Sequence, residues 1–367
     1  MRCKWSKKQL LELQKKAAIL NDIDTLEDIS MMFDILNESM NLDNFNIVPE
    51  LEEVNFDDAY NCFSYQMNNL PEKVFDYLME LYKTEPDFDY FLSRPSLTRF
   101  NISNKDLITL GHDCLKELHD KKLVDRYDEQ VKDSNRLLHI SSRQNPTGEI
   151  AQLDGATFFD FVNKQNYIYV YNTNTAFKFQ TLIHEAMHAH FYDLNAPTRG
   201  SIKYFQELEG RFGNLLASIY LKKIGFEKLY NELMSYELRA SFHDSYNLYL
   251  NDLLFGLSKH KKFNLKKVKE VYEQENNDKW LYEPDDLTEI CSIYGFDVAT
   301  DLLCYLMTME TYSKHHDIEE VYHKTVEMKS ADDFDSVTSL ENFGYKFMNN
   351  NFKSVNKLRL QLKKEGF

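Results

Sequence analysis

Apolar residues recur at helical spacing through most of this chain. Leu10, Leu13, Ala17 and Leu20 form one stripe, and Val74, Tyr77, Leu78 and Leu81 form another. No glycine precedes Gly111, and only 11 occur in 367 residues. Glycine costs a helix interior about 1 kcal/mol relative to alanine, so its absence beside abundant Leu, Glu, Lys and Met predicts a helical first hundred residues. Pro49, Pro71, Pro86 and Pro95 fall where helix boundaries are expected. The segment from about 145 to 172 departs from this pattern. Pro146, Gly148 and Gly155 punctuate it, and Tyr167, Ile168, Tyr169, Val170 and Tyr171 are consecutive β-formers that predict a strand. A run without Gly or Pro follows from Phe177 to Ile183, and Asn172, Thr173, Asn174 and Thr175 just before it offer N-cap side chains. After residue 201 the pattern is helical to the end, with breaks expected near Gly225, Gly256, Pro284 and Gly295. The reading is mainly α, with a helical N-terminal region over 1–144 and a region over 145–367 that joins a small sheet to more helices.

The predicted helix after the strand carries His184-Glu185-Ala186-Met187-His188. Residues four apart on a helix lie about 40° apart around the axis and about 6 Å apart along it. Both imidazoles therefore point to one side and can share one zinc ion, while Glu185 beside them can take a proton from zinc-bound water. With 11 histidines in the chain, chance gives this pattern in roughly a few sequences per hundred. His190 lies about 200° around the axis from His188 and is expected to face away from the metal.

Zinc in a catalytic site needs a third protein ligand and an open position for water. No distal histidine motif follows His188. The next acidic candidates are Glu207 and Glu209, with Glu237 further on. Phe205, Leu208, Phe212, Leu215, Leu216 and Ile219 mark one apolar face around the first two. Residues two apart on a helix diverge, so only one of Glu207 and Glu209 can be the ligand. Gly210 and Gly213 are unusual inside such a helix, and their small size would allow close approach to the metal helix or another helix.

Composition narrows the class. The chain is 43% hydrophobic and 14% aromatic, enough for a substantial core. The formal net charge of −16 leaves no electrostatic footprint for nucleic acid or an anionic membrane. The acidity reads first as solubility, and more sharply as a cleft that attracts cationic peptides. No run of about 18 apolar residues predicts a membrane span, and the amphipathic N-terminus does not read as a signal peptide. Five scattered cysteines, Cys3, Cys62, Cys114, Cys291 and Cys304, form no C-x-x-C pair and suggest no disulfide framework. A reducing, cytoplasmic location is the expectation.

Gly155-Ala156-Thr157, the strand from Tyr167 to Asn172, and the helix from Thr181 to His190 together resemble the core of the oligoendopeptidase F/thimet oligopeptidase family. The resemblance covers roughly residues 145–220. It implies a mostly helical two-lobed zinc-peptidase fold with a small sheet beside the active-site helix and a substrate channel, one zinc ion, and cleavage of short unfolded peptides. Glu207, followed by Gly210 and Phe212, fits the family's third-ligand helix best and is preferred over Glu209 on that ground. The family also implies a downstream His and Tyr pair that stabilises the transition state. The counterpart here lies within Asp285–Leu306, which contains no histidine, so Tyr294 is the expected oxyanion partner, with Tyr305 next. Met187 stands where the family usually has Gly. The spacer from His188 to Glu207 and the chain as a whole are shorter than usual.

The expected activity is zinc-dependent endopeptidase hydrolysis, with His184, His188 and Glu207 on the metal, Glu185 as general base, Tyr294 at the oxyanion and the strand around Tyr169 holding the peptide extended. Glu289 is a candidate for orienting an imidazole. A zinc-retaining peptide-binding protein with little turnover, and a specialised effector or toxin protease with one protein substrate, are the alternatives. An aminopeptidase would carry a G-x-M-E-N-type motif before the metal helix, and none is present.

Overall fold

The computed structural model describes residues 72–87, 89–90, 96–132, 137–141, 155–160, 165–194, 207–255, 284–329 and 352–367. The expected Leu10–Leu20 stripe lies outside them. The predicted stripe from Val74 becomes helix α1 (Glu72–Met79), which starts directly after Pro71 and buries Val74 and Leu78. Two further helices follow, α2 (Asn104–Lys116) and α3 (Lys121–Val131). Each begins on a side-chain cap: Ser103 accepts from the Asp106 amide, and Asp120 accepts from the Lys122 and Leu123 amides.

The sheet has three strands, β1 (Leu138–Ser141), β2 (Gly155–Asp160) and β3 (Gln165–Tyr171), in the order β1-β3-β2. The predicted strand is β3, and it is central. Tyr169 pairs with His139 in parallel on one side and with Ala156 antiparallel on the other. Tyr169 is fully buried. This corrects the expectation that the strand around Tyr169 offers a free edge to a peptide, because its main chain is engaged on both sides. The sheet also starts upstream of the expected segment, since β1 precedes residue 145.

The remaining helices are α4 (Phe177–Leu194), α5 (Leu208–Lys223), α6 (Glu227–Phe255), α7 (Pro284–His315), α8 (Ile318–Lys329) and α9 (Lys353–Lys364). The break at Gly225 is real: this residue adopts φ +93°, open to glycine, between α5 and α6. Helix α6 ends at Phe255, and α7 begins at Pro284, as proline at a first helical position permits. The expected break at Gly295 is absent, because α7 runs through it. One internal glycine costs a long helix only about 1 kcal/mol, which the packing of the rest outweighs.

Adjacent faces of α5 enter two apolar clusters. Leu208 and Leu215 join α1, α6, α7 and α9 in one. Phe212 and Leu216 join α2, α3, β3, α4 and α8 in the other. Burying a Phe or Leu side chain contributes about 1.5–3 kcal/mol, so these faces fix α5 firmly between the two groups. Met187 is fully buried in the second cluster. Among the described residues no helix is long and apolar enough to cross a membrane. Cys114 and Cys304 are buried free thiols.

Candidate active site

Helix α4 carries His184 and His188 one turn apart, as the four-residue spacing dictates. Their Nε2 atoms are 3.0 Å apart. Glu207 Oε2 lies 3.3 Å from the first and 3.4 Å from the second. Glu207 occupies the N-cap position of α5 but its side chain caps nothing, so the carboxylate is free to turn toward the imidazoles. Tetrahedral ligands at 2.0–2.1 Å from a metal are about 3.3–3.4 Å from one another, close to the triangle these three atoms form. Among the described residues, His184, His188 and Glu207 are the one group able to hold a metal ion.

The close approach depends on two glycines. A Cβ on Gly210 would lie 2.4 Å from His184 Cε1 and 2.8 Å from His188 Nε2. A Cβ on Gly213 would lie 3.0 Å from the His184 Cα. Helix α5 thus packs its bare backbone against the face of α4 that bears the imidazoles.

Hydrogen bonds behind the rings set their tautomers. Asn214 Nδ2 donates to Glu237 Oε1 at 3.1 Å, which turns the Asn214 amide oxygen toward His184 Nδ1, 3.1 Å away. His188 Nδ1 lies 3.2 Å from Glu209 Oε1, a carboxylate oxygen that can only accept. Each Nδ1 therefore carries a proton, and each Nε2 presents its lone pair to the other ring and to Glu207. Three acceptors about 3 Å apart repel unless a cation lies among them. With no metal that cation is a proton. Burial disfavours the charged imidazolium, but the Glu207 carboxylate outweighs it and lifts His188 well above the usual imidazole range and His184 above it. Burial likewise opposes the Glu207 anion, and His188 with His184 holds it well below the usual carboxylate range.

Both supports continue outward. Glu237 and Asp301 clasp the partly buried Arg211, which ties the His184 side to α6 and α7. Glu209 Oε2 pairs with Lys329 Nζ at 2.5 Å, which ties the His188 side to α8. Glu209 and Glu237, the alternative ligand candidates, thus sit behind the imidazoles rather than between them. His190 faces away, as its position on α4 requires. It is buried against Tyr322, whose hydroxyl also donates to Asp120 Oδ2 at 2.7 Å.

Glu185 is buried on the β2 side of α4. Thr157 Oγ1 is 2.8 Å from Glu185 Oε2 and 3.0 Å from the Glu185 carbonyl oxygen. A Cβ on Gly155 would lie 2.7 Å from Glu185 Oε1, so β2 can approach the carboxylate only with glycine there. The side chains of Tyr294 and Glu289 lie outside those described, although both residues fall on α7. Tyr305, the alternative, is buried. Desolvation raises its phenol, and Glu237 and Arg211 are the charges that act on it.

No protein-family model matches the sequence, and no curated protein matches it at a significant level. Solved structures do. A Chlamydophila abortus protein assigned as a candidate peptidase aligns over 97% of this chain and 63% of its own, with TM-score 0.58 and 12% identity. PZ peptidase A, crystallised with an inhibitor, aligns over 97% and 67%, with TM-score 0.54 and 11% identity. A Bacillus anthracis protein assigned as a candidate oligoendopeptidase F aligns over 97% and 65%, with TM-score 0.52 and 12% identity. The chain therefore has the mostly helical fold of peptidases of the oligoendopeptidase type. It spans about two thirds of the length of these structures.

Proposed function

We propose that this chain is a zinc-dependent endopeptidase that hydrolyses peptide bonds in short or unfolded peptides. The observation that carries the reading is the acceptor triangle of His184, His188 and Glu207, with both Nδ1 protons already committed to Asn214 and Glu209. Two neutral imidazoles, one carboxylate and an open position form the donor set of a hydrolytic zinc site. The likeness of fold to peptidases supports the same class. Bound zinc supplies Lewis acidity and lowers the pKa of a water ligand toward about 7.

In this reading Glu185 accepts a proton from the attacking water and delivers it to the leaving amine. Thr157 and Gly155 hold that carboxylate in place from β2. The far edge of β2 has no strand partner among the described residues, and Gly155–Thr157 runs beside Glu185. An extended peptide adding to that edge by main-chain hydrogen bonds would bring its scissile carbonyl toward the base, which moves the peptide cradle from β3 to β2. Tyr294 is the proposed oxyanion donor. The net charge of −16 makes cationic peptides the first substrates to try.

The reading is tested by Glu185→Gln, assayed on a peptide library read by mass spectrometry together with metal content. Hydrolysis should fall by about 100-fold or more while zinc stays bound. Turnover at the wild-type rate in that variant would remove Glu185 from the chemistry. A metal-loaded wild type that cuts no peptide would favour the zinc-retaining binding protein.

A further inference from the structure

We infer that Lys329 is a positioning residue for the metal centre, acting through Glu209 on His188. The inference rests on the metal-site reading above, and it concerns a residue far away in sequence that no motif in the α4 or α5 segments includes.

Lys329 is the last residue of α8, where a cation also meets the negative end of the helix dipole. Its side chain and that of Glu209 are each only 6% exposed. A lysine so deeply buried is costly unless it is paired. The pairing is with Glu209 Oε2 at 2.5 Å, while the other oxygen of the same carboxylate faces His188 Nδ1 at 3.2 Å. The carboxylate is therefore held at both ends. The ammonium stops it rotating and keeps its charge compensated, so that Oε1 remains an acceptor for the ring N–H. That hydrogen bond fixes the His188 tautomer and aims Nε2 at His184 and Glu207.

Lys329 also compensates the Glu209 charge, so a divalent metal held by His184, His188 and Glu207 would not face a second uncompensated carboxylate behind His188. Docking α8 therefore completes the imidazole support as well as the apolar cluster it shares with α5, to which Val321, Tyr322 and Phe212 belong.

The test is zinc affinity, measured by competition with a chromophoric chelator on the full chain, for wild type, Glu209→Gln, Lys329→Met and the double variant. Each single variant should bind zinc roughly 10–100-fold more weakly, the usual cost of losing a group that orients a metal-bound imidazole. The double variant should be no weaker than either single one, because all three break the same relay. With zinc saturating, KM for a peptide should stay within about twofold of wild type. Lys329→Met leaves a buried carboxylate without its cation, and where it fails to fold, the double variant carries the test, since it buries no unpaired charge. Wild-type affinity in the folded Lys329→Met or in the double variant would overturn the inference and show that the pair only stabilises the fold. A wild type that binds no zinc would overturn the metal-site reading itself, and this inference with it.

Discussion

The two imidazoles of the candidate centre are one helical turn apart yet are supported in different ways. His184 rests on a neutral amide, Asn214, which α5 itself supplies and which Glu237 and Arg211 hold from behind. His188 rests directly on a carboxylate, Glu209, whose charge Lys329 compensates from α8. A ring N–H donated to a carboxylate makes a stronger, charge-assisted bond than one donated to an amide oxygen. His188 should therefore be the more basic donor and the more firmly held, and its support is the one that needs a distant helix in place.

The largest effect that can break this comparison comes from the residue both rings share. Gly210→Ala should abolish tight metal binding, lowering affinity by more than about 100-fold, because its Cβ cannot coexist with the present positions of either Nε2. Stability should change less. The helix gains about 1 kcal/mol from alanine, against an overpacking cost of about 1–3 kcal/mol. Chelator competition and thermal melting of the metal-free protein separate the two.

A smaller effect sharpens the contrast itself. Asn214→Ala and Glu209→Gln should both weaken the metal within roughly the 10–100-fold range, with Glu209→Gln at the upper end. The reverse order would assign the dominant support to the His184 side.

The smallest effect is pH-dependent. In the metal-free protein His184 and His188 are raised above the ordinary 6.5. Their contribution to stability is present below that value and is lost as pH rises through the raised folded values. Metal must displace those protons, so affinity should climb with pH until it passes the raised folded values and level off above them. The metal-free protein should melt at a higher temperature at pH 6 than at pH 8, and saturating zinc should reverse the order. An affinity independent of pH across that range would contradict the proton-filled triangle.

How much of this was legible in the sequence follows from how local each signal is. The His184–His188 spacing and the neighbouring Glu185 are helix geometry written in five residues. The strand over Tyr167–Tyr171 stood out by its β-formers, but its central place did not, because pairing partners are not encoded in the strand itself. Strand β1 was missed: Leu138–Ser141 has four residues, two of them polar, and carries little periodic signal. Gly295 was misread as a break because one glycine is weak evidence against a long, well-packed helix. Gly210 and Gly213 were legible as small residues in an apolar helix, and the structure gives the reason for them. The supports behind the rings were not legible. Asn214 and Lys329 reach the site through tertiary packing, and nothing in their own segments marks them, while Glu237 reads from sequence as a candidate ligand rather than a support.

The central claim is that His184, His188 and Glu207 hold one divalent ion. Its most direct test is zinc stoichiometry by elemental mass spectrometry after dialysis, for wild type beside Glu207→Ala. The account predicts one zinc per wild-type chain and a large loss in the variant. A wild type that retains no zinc, or a Glu207→Ala protein that retains a full equivalent, would contradict it.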